Sequence, residues 1–313
     1  MTVTVVVPTL GRPSLDVLLA ALAAGVAEHD LELLVVDDRP GNPPALDVEA
    51  KVLTGPARGP AAARNVGWRA ARHDWVAFLD DDVVPDPDWA DRLVLDLAAA
   101  GSEVGGVQGV LRVPLPDDRR PTDWERVTAG LADGAWITAD MAYRREALER
   151  CGGFDERLPR AFREDAELAY RVRREGWTLQ RGNRRVTHPV RPESTWVSVR
   201  TQRGNADDAL LRRLYGPEWR ELLEIPPGRR PRHLAVTVAG LTALAAAAAR
   251  RPRLAALAGL AWAAGTAEFA AARIAPGPRD AREVGTMLVT SAVIPPVATL
   301  HYLRGWWRWR ARG

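Results

Sequence analysis

Two runs, LELLVVDD at 31–38 and WVAFLDD at 75–81, constrain the fold more than anything else in the chain. Each is a short apolar run without polar alternation, so each reads as a strand that must be covered on both faces, and each ends in carboxylates. The surrounding sequence keeps that rhythm. TVTVVVPT (2–9) and KVLTG (51–55) read as further strands. Residues 14–27, with Ser14 as N-cap, and 59–73, opened by Gly59-Pro60, read as helices. Strands alternating with helices predict an α/β fold with a doubly wound, mainly parallel sheet. From residue 105 the pattern mixes strands (105–114, 136–143) with helices (144–151, 164–176), and an amphipathic helix follows at roughly 196–215.

Charge divides the chain. Residues 226–313 hold 13 arginines against Glu268, Asp280 and Glu283, while residues 1–225 carry 30 basic and 37 acidic side chains. This predicts an acidic catalytic domain over 1–225 and a basic, Ala-rich helical region over 226–313, joined by the linker EIPPGRRPRH (224–233). The apolar stretches 234–249, 254–272 and 285–303 approach the roughly 20 residues needed to cross a bilayer. Glu268 interrupts the second, and Pro295-Pro296 is expected to break the third. Arg250 to Arg253 would lie on the far side of a membrane if 234–249 spanned it, which favours a helical hairpin at the surface. The closing LRGWWRWRARG mixes Trp with Arg, as at an anionic interface, so a membrane surface rather than nucleic acid is the expected partner. A soluble Ala-rich bundle is the alternative. A single cysteine, Cys151, excludes a disulfide framework, and no Cys/His spacing suits structural zinc. TVTVVVP begins without a charged, cleavable leader, so the first domain is expected in the cytoplasm, at the membrane's inner face.

In an open α/β sheet, ligands bind beyond the carboxyl ends of the strands. Asp37-Asp38 and Asp80-Asp81-Asp82 fall there. If 80–82 continue the strand, Asp80 and Asp82 point the same way, and two close carboxylates repel unless a cation lies between them. Oxygen ligation suits Mg²⁺ or Mn²⁺, which completes its shell with water and phosphate. The same acids also fit a solvated turn and helix cap shaped by Pro85 and Pro87. Glu164 and Asp165 likewise suit the positive end of the helix they open. Glu167 reads as a solvated helix residue, and Trp68, Trp75 and Trp89 read as core.

VVVPTLGR, LLVVDDRPG, GPAAARNVGWRAA, WVAFLDDDVVPDPDW, GGFDERLPRAFREDAELAYRVRREGW and THPVRP, in this order over the first 190 or so residues, resemble family 2 glycosyltransferases of the GT-A fold. That resemblance implies inverting transfer of a sugar from a nucleotide-diphosphate donor, with Mg²⁺ or Mn²⁺, to a hydroxyl acceptor of lipid-linked or envelope-glycan type. It implies donor binding by Thr9, Arg12, Asp38, Arg64, Asn65 and Asp80, with Asp80 and Asp82 as the Asp-X-Asp pair. Asp80, Asp82 and His188 become the metal set, Asp165 the catalytic base, and Trp136 and Asp140 the acceptor contacts. Arg58 is a further candidate for the phosphates. A sugar nucleotidyltransferase would carry a glycine-rich basic loop after its first strand, and PTLGRPSL holds one Gly and one Arg. A membrane-tethered sugar-nucleotide-binding protein without turnover is the non-enzymatic alternative.

Overall fold

The computed structural model describes residues 2–310. The chain separates into two compact units, residues 1–114 with 129–190, and residues 115–128 with 191–313. The helices between 197 and 222 thus fall with the C-terminal region, whereas the charge pattern marks 225/226 as the boundary.

The first unit is an eight-stranded sheet: β1 (Val3–Thr9), β2 (Glu32–Asp37), β3 (Lys51–Thr54), β4 (Trp75–Leu79), β5 (Val84–Pro85), β6 (Val104–Arg112), β7 (Asp140–Arg144) and β8 (Thr178–Thr187). Their order is β3-β2-β1-β4-β7-β6-β8-β5. β3, β2, β1 and β4 pair in parallel, as does β6 with β8, while β7 runs antiparallel between β4 and β6. The sheet is therefore mixed, its parallel half holding the strands whose ends are acidic.

Period-two alternation builds two cores. Val3, Val5 and Val7 of β1 face α1 (Ser14–Glu28) and α3 (Trp89–Ala98), where Leu15, Leu18, Leu22, Trp89 and Leu93 are buried. Val6 of β1, with Val76 and Phe78 of β4, faces the other side. There α2 (Pro60–Ala70), α5 (Arg145–Cys151) and α6 (Glu164–Arg174) contribute Trp68, Leu148 and Leu168. This double coverage is why the strands carry so few polar residues. Trp68, Trp75 and Trp89 are core, as expected. Ser14 is the first helical residue of α1 rather than its cap, and Pro13 holds the cap position without a side-chain bond. Proline's fixed φ suits a helix start, which displaces the serine by one position.

The second unit is helical. α4 (Asp123–Ala129) lies in an inserted segment. It is followed in sequence by α7 (Val197–Arg200), a 3-10 turn (Thr201–Gly204), α8 (Asn205–Tyr215) and α9 (Trp219–Leu222). Three long helices complete it: α10 (Arg230–Ala248), α11 (Pro252–Ile274) and α12 (Ala281–Arg310). α10 and α11 form an antiparallel hairpin, with Phe269 against His233, Gly265 against Val236 and Trp262 against Gly240. The expected break at Pro295-Pro296 does not occur, and α12 runs through both prolines. Pro295 and Ile294 are buried, and the Thr299 hydroxyl donates to the Pro295 carbonyl at 2.9 Å. Burial of Ile294 and Pro295 against neighbouring segments thus sustains a helix that proline alone would interrupt. Glu268 is paired with Arg229 and lies 3.6 Å from Arg232, so the acid within the apolar stretch is neutralised. α11 and α12 are both long and apolar enough to cross a membrane.

Candidate functional site

The acids after β4 do not follow strand alternation. β4 ends at Leu79, and residues 80–82 enter a turn in which the Val83 N–H faces the Asp80 carbonyl at 3.4 Å. Side chains fan out from a turn, so the expected common direction of Asp80 and Asp82 has no basis here, and the three acids take three different partners.

Asp81 is buried and serves the end of β1. Its Oδ2 accepts the Thr9 hydroxyl at 2.7 Å, and its Oδ1 accepts Arg12 Nη1 at 3.0 Å. The Gly11 N–H returns to Thr9 Oγ1 at 2.9 Å. Thr9 and Arg12 are thereby held together by an aspartate to which no role was assigned from sequence. Asp38, past β2, organises the next loop: its Oδ1 accepts the Ala57 N–H at 2.7 Å and its Oδ2 the Gly59 N–H at 2.8 Å. Gly59 has φ +96°, and a Cβ there would lie 2.0 Å from the Pro159 carbonyl oxygen. Only glycine satisfies both conditions.

Asp80 turns towards α2 and α6. Arg64, 2 % exposed, donates through Nη2 to Asp80 Oδ1 at 2.7 Å and through Nη1 to Glu164 Oε1 at 2.8 Å. Burial opposes the guanidinium's charge, but the two carboxylates outweigh it and hold Arg64 protonated. Glu164 is buried as well, and its Oε2 accepts the Phe162 N–H at 2.6 Å. Burial pushes the Glu164 carboxyl up, with the charge of Asp165 adding to it and Arg64 opposing. Asp165 is half-buried and accepts its own helix's Ala166 N–H at 2.7 Å. Burial raises its carboxyl above the ordinary aspartate range and Asp80 adds to this, while Ala166, Arg64 and Arg163 offset part. Arg64, Asp80, Glu164 and Asp165 thus form one electrostatic group spanning the end of β4, α2 and α6.

Local backbone strain borders the same region. Ala57, Trp136 and Arg163 all have positive φ (54°, 63° and 76°), each costing on the order of 1 kcal/mol or more. Arg163 immediately precedes Glu164 and Asp165, and Ala57 supplies a donor to Asp38.

Other predicted residues stand in different places. Asn65 uses its amide fully: Nδ2 donates to the Phe154 carbonyl and Glu156, and Oδ1 accepts the Phe154 N–H and Trp68 Nε1. It ties α2 to the loop after α5. Asp140 is enclosed, accepting Arg184 Nε at 2.7 Å and Trp89 Nε1 at 2.9 Å, so both oxygens are used inside the sheet. Trp136 is half-buried, its backbone N–H on Gln108 Oε1. Arg58 is mostly exposed and pairs with Glu156 at 2.6 Å. Asp82 faces His188, with Nε2 and Oδ1 3.6 Å apart, too far for a hydrogen bond. Among the described residues, no three-ligand group joins Asp80, Asp82 and His188, and the one triad within 4.8 Å is Glu28, His29 and Asp91, away from these strand ends. Asp82 and His188 together offer one oxygen and one nitrogen, a donor pair that suits Mn²⁺ better than Mg²⁺.

Sequence reasoning missed Asp81, Glu164 and Glu167. Glu167, read as solvated, is buried and accepts Arg171 through both oxygens at 2.7 Å. The i, i+4 spacing from Glu167 to Arg171 was the available signal. For Asp81 and Glu164 the partners lie 72 and 100 residues away, where no local signal reaches.

Residues 4–152 match the model described as Glycosyl transferase family 2. The pre-mycofactocin glycosyltransferase of Mycobacterium tuberculosis is 29% identical over 201 residues, covering 57% of this chain and 40% of that protein. The succinoglycan biosynthesis protein ExoO of Rhizobium meliloti is 34% identical over 100 residues, 29% of each chain. The chain therefore spans less than half the length of the curated relatives it matches. Among solved structures, S. aureus TarS 1–349 in complex with UDP-GlcNAc aligns with TM-score 0.48 and 14% identity over 99% of this chain and 92% of that one. Glucosyl-3-phosphoglycerate synthase from Mycobacterium tuberculosis, in complex with Mn²⁺, UDP and phosphoglyceric acid, aligns with TM-score 0.43 and 18% identity over 72% and 80%.

Proposed function

We propose, for a chain whose residues 4–152 belong to glycosyl transferase family 2, that the strand-end cluster transfers a sugar from a nucleoside-diphosphate donor to a hydroxyl acceptor with inversion. The observation that carries this reading is the buried Asp80–Arg64–Glu164 bridge, which ties the acids after β4 to the first turn of α6, beside Asp165. Thr9, Arg12 and Asp38, at the ends of β1 and β2, supply polar groups for the nucleoside. Asp81 holds Thr9 and Arg12, and the Ala57 and Gly59 N–H groups hold Asp38.

Asp165 acts as the base. Its raised proton affinity improves the match to an acceptor hydroxyl, and one of its oxygens stays on the Ala166 N–H, which orients the other. As the hydroxyl oxygen bonds to the anomeric carbon, its proton passes to Asp165 and the carbon–oxygen bond to the diphosphate breaks on the opposite face. Inversion follows from this single displacement. Asp82 and His188 would hold Mn²⁺ or Mg²⁺; the ion, when bound, supplies Lewis-acid stabilisation of the departing diphosphate. Trp136 offers an aromatic face to the acceptor, while Asp140, engaged on both oxygens, supports the sheet beneath it.

The second unit supports membrane association. On the α10–α11 hairpin Val238, Leu241, Leu244, Leu254, Leu257 and Leu260 are exposed, and apolar residues occupy all faces of both helices. A helix apolar all round is covered either by protein or by a bilayer, and of the two helices of this hairpin α11 is long and apolar enough to span one. The 23 residues of α11 rise about 34 Å, against a hydrocarbon core of roughly 30 Å. A lipid-linked acceptor is consistent with such a location at the cytoplasmic face.

The decisive experiment supplies candidate sugar nucleotides and Mn²⁺ to the purified chain. Release of nucleoside diphosphate, lost with EDTA and lowered roughly 10²-fold or more in Asp165→Asn at nearly unchanged donor affinity, is expected. Pyrophosphate release from a nucleoside triphosphate and sugar phosphate would point to a nucleotidyltransferase instead. A large loss of donor affinity in Asp165→Asn would remove that residue from the base role. For the tail, Leu241→Glu with Leu257→Glu should shift the chain from membranes to the soluble fraction, and an unchanged distribution would refute insertion of the hairpin.

A further inference from the structure

α12 closes on α8 at Gly305, where a Cβ would lie 2.4 Å from the Ala206 carbonyl oxygen. This close approach brings one turn of tryptophans beside the last turn of α8. Between them lies a cavity of about 200 Å³ lined by Ala209, Arg212, Arg213, Trp306 and Trp309. Trp309 is buried and forms a fixed wall, and Trp306, 43% exposed, stands at the mouth.

The electrostatics are one-sided. Arg212 and Arg213 are exposed, and Arg308 and Arg310 stack on Trp309 and Trp306 at 4.9 and 5.0 Å. Among the described residues none of these four arginines has a carboxylate partner. Other arginines of the unit do: Arg220 pairs with Asp208 at 2.5 Å and Arg273 with Asp123 at 2.7 Å. A guanidinium stacked on an indole keeps its in-plane N–H groups free, in the fork that matches phosphate oxygens. Helix-dipole stabilisation accounts for basic residues at the end of α8. It does not account for an indole-walled cavity lined by both Arg212 and Arg213.

We propose that this cavity binds the phosphate headgroup of an anionic membrane lipid, with the phosphate oxygens on Arg212 and Arg213 and the lipid's apolar part along Trp306 and Trp309. This rests on the membrane association proposed above. A lipid is favoured over a free anion because the phosphate-binding fork is joined to exposed indole surface, and because the same unit carries the apolar hairpin. Phosphate supplies the charge complement and the acyl region meets the tryptophans, an arrangement of the kind found where proteins meet the lipid interface.

The test uses the full chain with vesicles of phosphatidylcholine alone and of phosphatidylcholine mixed with phosphatidylglycerol, read by flotation. The anionic vesicles should bind more tightly, and Arg212→Gln with Arg213→Gln should remove roughly 30-fold of that affinity while leaving binding to the neutral vesicles unchanged. Arg212→Lys with Arg213→Lys keeps the charge but not the fork, and should lose at least about threefold. Full retention by the lysine pair would overturn a built site in favour of diffuse charge. An undiminished anionic preference in the glutamine pair would place the headgroup elsewhere. Displacement from anionic vesicles by inorganic phosphate at matched ionic strength would assign the cavity to a free anion. Failure to bind either vesicle would overturn the membrane reading itself, whereas equal binding to both would overturn the cavity alone.

Discussion

Replacing Arg64 by leucine tests the bridge on which the site depends. Removing one partner of a buried ion pair costs about 3–5 kcal/mol, because the other charge is left without compensation. Here the cost divides unequally. Asp80 is 28% exposed and can be rehydrated, whereas Glu164 is 3% exposed and cannot. The lower end, about 3 kcal/mol at pH 8, is therefore expected, or a fall of roughly 6–12 °C in Tm for a domain of this size. The pH dependence has a definite sign. Burial raises the Glu164 carboxyl above its unfolded value, so the folded chain keeps this proton where the unfolded chain has released it. The resulting stability is present in full below the unfolded pKa and is lost as pH rises through the raised one. Without Arg64 that value moves higher still, so the deficit should shrink at pH 5, where Glu164 is protonated and neutral. Thermal unfolding of both proteins by circular dichroism at pH 5 and pH 8 measures the difference directly. Adding Glu164→Leu should recover most of the loss, since it removes the stranded charge. A deficit under about 1 kcal/mol at pH 8, or one equal at both pH values, would refute the bridge as the organiser of the site.

Two further substitutions probe the loops around it. Asp81→Ala removes the acceptor for Thr9 and Arg12 and should cost about 1–3 kcal/mol together with a weaker nucleotide affinity. Calorimetry with the donor nucleotide separates this from a stability loss with unchanged affinity, which would make Asp81 structural only. Gly59→Ala must resolve both a positive φ and a 2.0 Å contact, and should lower stability by about 1–3 kcal/mol or more while releasing the Asp38 loop. A neutral Tm would refute the tight approach to Pro159.

The alternation of buried strands and helices was legible in the letters, because short Val- and Leu-rich runs bounded by turn residues suit strands covered on both faces. So were the gathering of carboxylates where strands end and the basic, apolar character of the C-terminal region. Turns and distant partners emerged from the folded arrangement. Asp80, Asp81 and Asp82 are equivalent as letters, yet a chain that leaves the strand at Leu79 sends one to Arg64, one to Thr9 and one towards His188. Glu164 and Glu167 looked like ordinary first-turn acids. They are buried because α6 packs against the sheet, and each carboxylate is paired there with an arginine. The antiparallel strand β7 and the uninterrupted α12 have the same origin. Local propensity sets what a segment can become, and burial against segments far away in sequence selects among those outcomes.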